Sequence, residues 1–322
     1  MPLHDLGYRR WDGELNPQWT RWWVIAQTGI RLSWRSRWLR RMLTLAWLPA
    51  ILFGIAVFTL ENAIGRSADI DMGLRVLSNH FPITDELREE VRRDPSQARS
   101  TLWALILLSF FRIPQGFLIV MLTALIAPPL IAQDIRSRAY LLYFSRPITR
   151  LEYVFGKLAT VAAYLSMITL VPGVVLYLLG VGLSPSLSVV ADTWDLPLRV
   201  VAASVVVIIP TATFALCLSS LLAESRYATF CWFVPWVLGW FAFMAMTAMT
   251  EQAAYMQGQS EVVRSGKWSL LSPYHALGDV ETWVFGLESN FGRVAPQALM
   301  LSLVTLISMG VLLRRVVAPM RV

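Results

Sequence analysis

Residues 133–157 read QDIRSRAYLLYFSRPITRLEYVFGK, and this polar interruption decides how the rest of the chain is divided. Five of its residues are basic (Arg136, Arg138, Arg146, Arg150, Lys157) and two are acidic (Asp134, Glu152). Apolar runs flank it, residues 116–132 before and 158–179 after, so it reads as a loop between two membrane spans. A basic loop belongs on the cytoplasmic side. Tyr140, Leu141, Tyr143 and Phe144 are too apolar for a plain linker, which suggests that something docks there.

Composition agrees. Of 322 residues, 56% are hydrophobic and 15% charged, whereas a soluble domain carries about a quarter charged residues. The 14 tryptophans concentrate near the ends of apolar runs, where amphipathic rings favour the headgroup region. The chain reads as an all-α polytopic membrane protein. Its net charge of +7 follows from loop asymmetry, so no nucleic-acid partner is expected. Cys217 and Cys231 fall in or beside apolar runs and indicate neither a disulfide framework nor a zinc site. Residues 1–18 lack the apolar core of a cleavable signal peptide.

Two units are expected, a cytoplasmic amino-terminal stretch over 1–42 and a six-helix membrane domain over 43–322. Between 17 and 41, Trp19, Trp23, Ala26, Ile30 and Trp34 recur at helical spacing, opposite Arg21, Thr28, Arg31 and Arg35. That pattern predicts a helix lying in the membrane plane; the other reading is a solvated helix before the first span. Residues 43–60 form span one. Residues 61–100 form a polar outer segment, in which Thr84, Asp85, Glu86, Arg92, Arg93 and Pro95 mark one short helix. Residues 101–132 are too many for one crossing, extending roughly 48 Å at 1.5 Å per residue. With the inner boundary at Gln133-Asp134, span two runs back to Ile113 and puts Arg112 at the outer interface, where it can snorkel. An arginine at mid-membrane would instead mark a functional site. Spans three to six are read at 158–179, 197–222, 228–249 and 294–313. A loop at 180–196, a tight turn at 223–227 and an outer segment at 250–293 join them. Every strongly basic loop then falls on one side, so both termini are expected in the cytoplasm.

No catalytic constellation emerges. His4, His80 and His275 are dispersed, and G-x-S-x-G is absent. Gly156-Lys157 and Gly266-Lys267 superficially match the end of a phosphate loop. Leu151 and Glu261 occupy the place of its first glycine, however, and Leu158 and Trp268 that of its Ser/Thr. The chain is therefore expected not to be an enzyme and to hold no cofactor, leaving ATP and magnesium to a partner ATPase.

The segment 131–157 resembles the first cytoplasmic loop of the ABC transporter type-2 permease family. That family carries an acid ending span two, an apolar coupling helix, Ser-x-Pro, a hydroxyl residue, Arg, and an aromatic before Gly-Lys. Asp134 matches the acid, residues 139–144 (Ala139 to Phe144) the coupling segment, and Ser145, Pro147, Thr149, Arg150, Tyr153, Gly156 and Lys157 the remainder. The sequence departs at Arg138-Ala139, where the family usually has Gly-Thr, and at Arg136, where a second acid is common. The segments 218–230 and 270–286 resemble the family's fourth-to-fifth turn and the outer piece before its last span, which forms short helices dipping into the outer leaflet. The amino-terminal helix resembles its elbow helix.

The resemblance implies a permease subunit, most often an exporter, in a bacterial cytoplasmic (inner) membrane. It also implies a second permease subunit, identical or homologous, a surround of membrane lipid, and separate ATPase subunits docked on 134–150. Asp134, Arg138, Ala139, Tyr140, Leu141, Tyr143, Phe144, Ser145, Pro147 and Arg150 would make that contact. The alternative is a non-transporting protein that relays ATP-driven motion to an outer partner through residues 61–100. On the residues alone, the aromatic cluster could equally pack on headgroups or on the chain's own helices. Pro147 ends the coupling helix, and Thr149 with Glu152 is expected to form a capping box that opens the next one.

Overall fold

The computed structural model describes residues 20–65, 89, 95–139, 148–184, 188–256 and 266–316, all helix, turn or coil with no strand among them. Of the expected short helix after Thr84 only Glu89 is among the described residues, and it is helical. Twelve α-helices are labelled in chain order. These are α1 Arg21–Trp34, α2 Arg37–Ala46, α3 Leu48–Gly65, α4 Pro95–Pro114, α5 Val120–Arg136, α6 Arg150–Ile168, α7 Leu170–Leu183 and α8 Ser188–Thr193. The last four are α9 Leu196–Leu221, α10 Ser225–Met256, α11 Pro273–Val284 and α12 Phe291–Arg315. Six stretches are long and apolar enough to cross a membrane: Arg37–Asn62, Arg99–Arg136, Arg150–Leu183, Val189–Leu221, Ser225–Ala253 and Phe291–Arg315. The expected count of six stands, and each stretch is longer than the apolar run that signalled it. The break expected at 42/43 falls inside α2, and the loop expected at 180–196 holds the end of α7 and all of α8.

The central helix is α9, packed against α5, α6, α7, α10, α11 and α12. Prolines set the irregularities of the bundle. Pro114 lacks an N–H to continue the ladder, and the chain passes into α5 through a π-turn, Gln115–Ile119. Pro172 interrupts the third span at Thr169 (φ −114°, ψ −70°), because its ring collides with the carbonyl four residues back, that of Ile168. Pro128 and Pro129 remove two donors inside α5, and α9 and α10 compensate. The Ser219 hydroxyl donates to the Pro128 carbonyl at 2.7 Å and accepts from the amides of Ile131 and Ala132. Thr229 donates at 3.5 Å to the carbonyl of Ala124, which Pro128 leaves without its usual donor.

At the end of the bundle away from the turn between α5 and α6, Glu61, fully buried, holds three partners at the ends of spans one to three. It accepts from the Trp103 indole at 2.8 Å and from the Ser184 hydroxyl, and lies 3.5 Å from Arg99 Nε. Arg99 also reaches Asp192 of α8 at 3.2 Å. Gly180 makes the clasp possible, since a Cβ there would stand 2.4 Å from the Trp103 ring.

A short 3-10 turn, Trp268–Leu271, and α11 pack between α9, α10 and α12. A Schellman turn ends α11 at Gly286 (φ +77°), with the Leu287 amide on the Thr282 carbonyl and that of Gly286 on Trp283. Arg199, near the start of α9, donates to the Phe285 carbonyl there. From Phe285 back to Pro273 is twelve residues, so α11 descends about 18 Å into the bundle. Gly239 lets its tip in: a Cβ at that position would lie 2.6 Å from the Leu271 carbonyl oxygen.

Arg112 lies thirteen residues, about 20 Å, from the Arg99–Glu61 clasp along the second span. Its guanidinium sits 4.5 Å from the Tyr274 ring centroid, where a Cβ on Gly278 would otherwise be, and its carbonyl accepts from the Tyr274 hydroxyl. An intramembrane arginine faces the bundle interior and finds partners there, and this one fastens α11 to the second span.

Candidate functional site: the turn between α5 and α6

The end of α5 and the start of α6 meet at the residues of the sequence pattern. Asp134 is nearly buried between them. Its carboxylate lies 2.7 Å from Lys157 Nζ and accepts from the Tyr153 hydroxyl, also at 2.7 Å. Lys157 further donates to the Leu130 carbonyl at 2.7 Å and lies 5.3 Å from the Tyr153 ring centroid. The two side chains are 17% and 8% exposed, so water contributes little to their solvation. In such surroundings a charge persists only when paired and hydrogen-bonded. The acid, the aromatic and the lysine of the sequence pattern thus form one cross-link that ties α5 to α6.

Each helix end is closed locally. The Ala139 amide bonds to the Asp134 carbonyl and that of Arg138 to Ile135, which is a Schellman turn with Arg138 at φ 54°. Glycine occupies that left-handed position without steric cost, whereas other residues lose about 1–2 kcal/mol. This explains why glycine is common here in the family that the loop resembles, and what the arginine changes. Arg138→Gly should be neutral or stabilising by up to about 1 kcal/mol, and Arg138→Val, with a β-branch at positive φ, destabilising by more than about 1 kcal/mol. Melting temperatures in detergent should follow Gly ≥ Arg > Val; the reverse order would contradict the turn.

At the other end the capping box forms as expected. The Glu152 amide donates to Thr149 Oγ1 at 3.3 Å, and the Thr149 amide to Glu152 Oε2 at 2.6 Å. Such a cap contributes about 0.5–2 kcal/mol.

Helix α1 braces the turn. A Cβ on Gly156 would lie 2.7 Å from Ile25 Cβ and 2.8 Å from the Trp22 carbonyl oxygen, and one on Gly29 would lie 2.5 Å from Thr160 Oγ1. The Tyr164 hydroxyl donates to the Ile30 carbonyl at 2.7 Å. These contacts advance in the same direction on both helices, so α1 runs alongside the start of α6. Gly29 and Gly156 permit the backbone approach that holds α1 to its neighbour.

Of the residues assigned to partner contact, Asp134, Ala139, Arg138 and Arg150 are described. Asp134 faces inward; Arg138 and Arg150 are exposed, and Ala139 is half-buried. Tyr140, Leu141, Tyr143, Phe144, Ser145 and Pro147 lie outside the described residues. The pairing of Asp134 with Lys157 was missed in the sequence. Its signal is two opposite charges set just inside the apolar flanks of one loop.

Comparison with known proteins gives one family. The model of a family described as "ABC-2 family transporter protein" matches residues 24–318. No curated protein matches the chain.

Proposed function

The chain belongs to the ABC-2 family of transporter proteins, and from that premise we propose an exporter driven through the turn just described. As a member it is a multi-pass permease subunit of an ABC transporter, and the family implies an ABC ATPase partner. The finer reading is that the ATPase docks on residues 134–150 from the cytoplasm. A second permease subunit, identical or homologous, would complete the pathway in the cytoplasmic membrane. The observation that carries it is the Asp134–Tyr153–Lys157 cross-link. A push on the turn cannot be absorbed by parting α5 from α6, so it passes into both spans. Along the second span it reaches Arg112 and thence α11, which lies toward the outer side.

The alternative, a transmission protein without a cargo, has one observation in its favour. Glu61 and Arg99, which bound the outer segment, are clasped to each other and to the spans, so motion of the bundle would be delivered to that segment. Vesicle assays on the purified complex separate the two, since ATP-dependent movement of any solute supports export.

Orientation is tested independently. A cysteine replacing Gln259 should react with an impermeant thiol reagent in intact cells, and one replacing Ser137 only after permeabilisation. Labelling of position 137 from outside would invert the topology.

A further inference from the structure

Two opposite charges lie close together in the bundle without pairing. Arg112 is the single charged residue between Arg99 and Asp134. It falls inside the candidate span Arg99–Arg136, where a charge marks a functional site by default. Its guanidinium rests against the Tyr274 ring and the backbone of Gly278. Among the described residues it has no carboxylate at ion-pair distance and donates no hydrogen bond. Asp279 follows Gly278, is half-buried, and lies within electrostatic reach of that guanidinium. It too has no ion pair among the described residues, and accepts instead from the Gln297 amide of α12 at 3.3 Å.

Opposite charges this near normally pair where water is scarce. Here a different element holds each one. Tyr274 holds Arg112, while Gln297 holds Asp279 and is itself anchored on the Gly266 carbonyl and Ser269 Oγ, both at 2.8 Å. The same amide keeps its oxygen buried with no donor among the described residues, a rare condition for a buried polar atom. The open pair thus presents unused N–H donors on one side and two acceptors on the other. Neighbouring titratable groups do not close it. His275 contacts Ser272 Oγ at 2.9 Å and stacks on Phe243 at 3.5 Å, and Glu281, two residues beyond Asp279, lies on the opposite side of α11.

Apolar surface adjoins the pair. Ile113 and Phe117, one turn apart beside Arg112, are 60% and 52% exposed. The chain leaves α-geometry just after Arg112, at the π-turn Gln115–Ile119, a distortion that recurs at functional sites. That turn meets α11, since a Cβ on Gly116 would touch the Tyr274 ring at 3.5 Å.

We propose that Arg112, Asp279 and Gln297 bind the headgroup of a zwitterionic amphiphile. Its anionic group lies on Arg112, its ammonium on Asp279 and the Gln297 oxygen, and its apolar tail along Ile113 and Phe117. An anion alone would leave Asp279 uncompensated beside it, and a cation alone would meet the charge of Arg112. A molecule carrying both completes both. Calling that molecule cargo rests on the permease reading; its binding to the chain does not.

The test titrates the purified full chain, without ATPase, with three probes of equal aliphatic length, read by native mass spectrometry. These are a lysophosphatidylethanolamine, a lysophosphatidylglycerol and an alkylammonium salt. Wild type should bind the zwitterion at least about tenfold more tightly than either singly charged probe, the effect of one charge-assisted hydrogen bond. Arg112→Gln should lose that advantage over the alkylammonium and keep it over the anion. Asp279→Asn should do the reverse. Arg293→Gln, which removes an exposed arginine near the start of α12, should change nothing. If one variant does not fold, the other still reports its own change of preference. Equal binding of the three probes by wild type would overturn the proposal, as would variants that weaken all three alike, the mark of a purely structural role. In the complex with its ATPase, release of bound lysophosphatidylethanolamine on adding ATP identifies cargo, and retention identifies a resident lipid; the site stands in both. Because the chain binds alone, failure here leaves ATPase docking untouched, and failure of docking leaves this site intact.

Discussion

Lys157→Met should lower the apparent melting temperature of the purified chain by an amount on the order of 10 °C. The substitution removes one partner of a buried ion pair and leaves the Asp134 carboxylate with only the Tyr153 hydroxyl. Breaking a buried pair from one side costs about 3–5 kcal/mol, and each kcal/mol shifts the melting point of a large domain by about 2–4 °C. The Leu130 carbonyl loses its lysine as well. Methionine keeps the volume, so the loss is electrostatic rather than a cavity. The double variant Asp134→Asn with Lys157→Met should recover part of the loss, because no unpaired charge remains. If single and double variants melted alike, the pair would not be the cross-link described, and rigid coupling of α5 to α6 would lose its basis.

The second large effect concerns the turn itself. Tyr140→Asp combined with Tyr143→Asp should abolish association with the ATPase while membrane insertion proceeds normally. Residues 140–147 fall between the two helix ends fixed by the Schellman turn and the capping box, so insertion of the flanking spans does not depend on these side chains. A carboxylate entering an apolar contact must be desolvated without a partner, at a cost of several kcal/mol, and two such penalties would exceed the margin of an ordinary subunit contact. Arg264→Asp, in the outer segment, should leave association unchanged. Copurification of the ATPase with the double variant at wild-type yield would move the docking surface elsewhere.

What the sequence revealed and what it hid separate along physical lines. The number of spans was legible because hydrocarbon demands about twenty apolar residues of each, and no loop supplies that by chance. The Thr149–Glu152 box was legible because a cap is written within four residues. Span ends were read too short. Charged groups such as Asp134, Lys157 and Glu61 seemed to mark the limits of helices that in fact continue, since each charge finds a partner on another helix. The position of α1 depended on its Gly29 meeting Thr160 of α6 and on Gly156 of α6 meeting Ile25 of α1, contacts across more than a hundred residues that no local pattern announces. Arg138 at positive φ was visible as a departure from the glycine expected there, although its conformational meaning needed the backbone.

The central claim is that an ATPase drives this permease through the turn between α5 and α6. The most direct measurement introduces a photo-crosslinking amino acid at Tyr143 in one sample and at Leu299, on the exposed face of the last span, in another. Both are irradiated in native membranes. The account predicts an adduct with an ATP-hydrolysing subunit from position 143 and none from position 299. Absence of that adduct at 143, in membranes where the ATPase still copurifies with the chain, would contradict it.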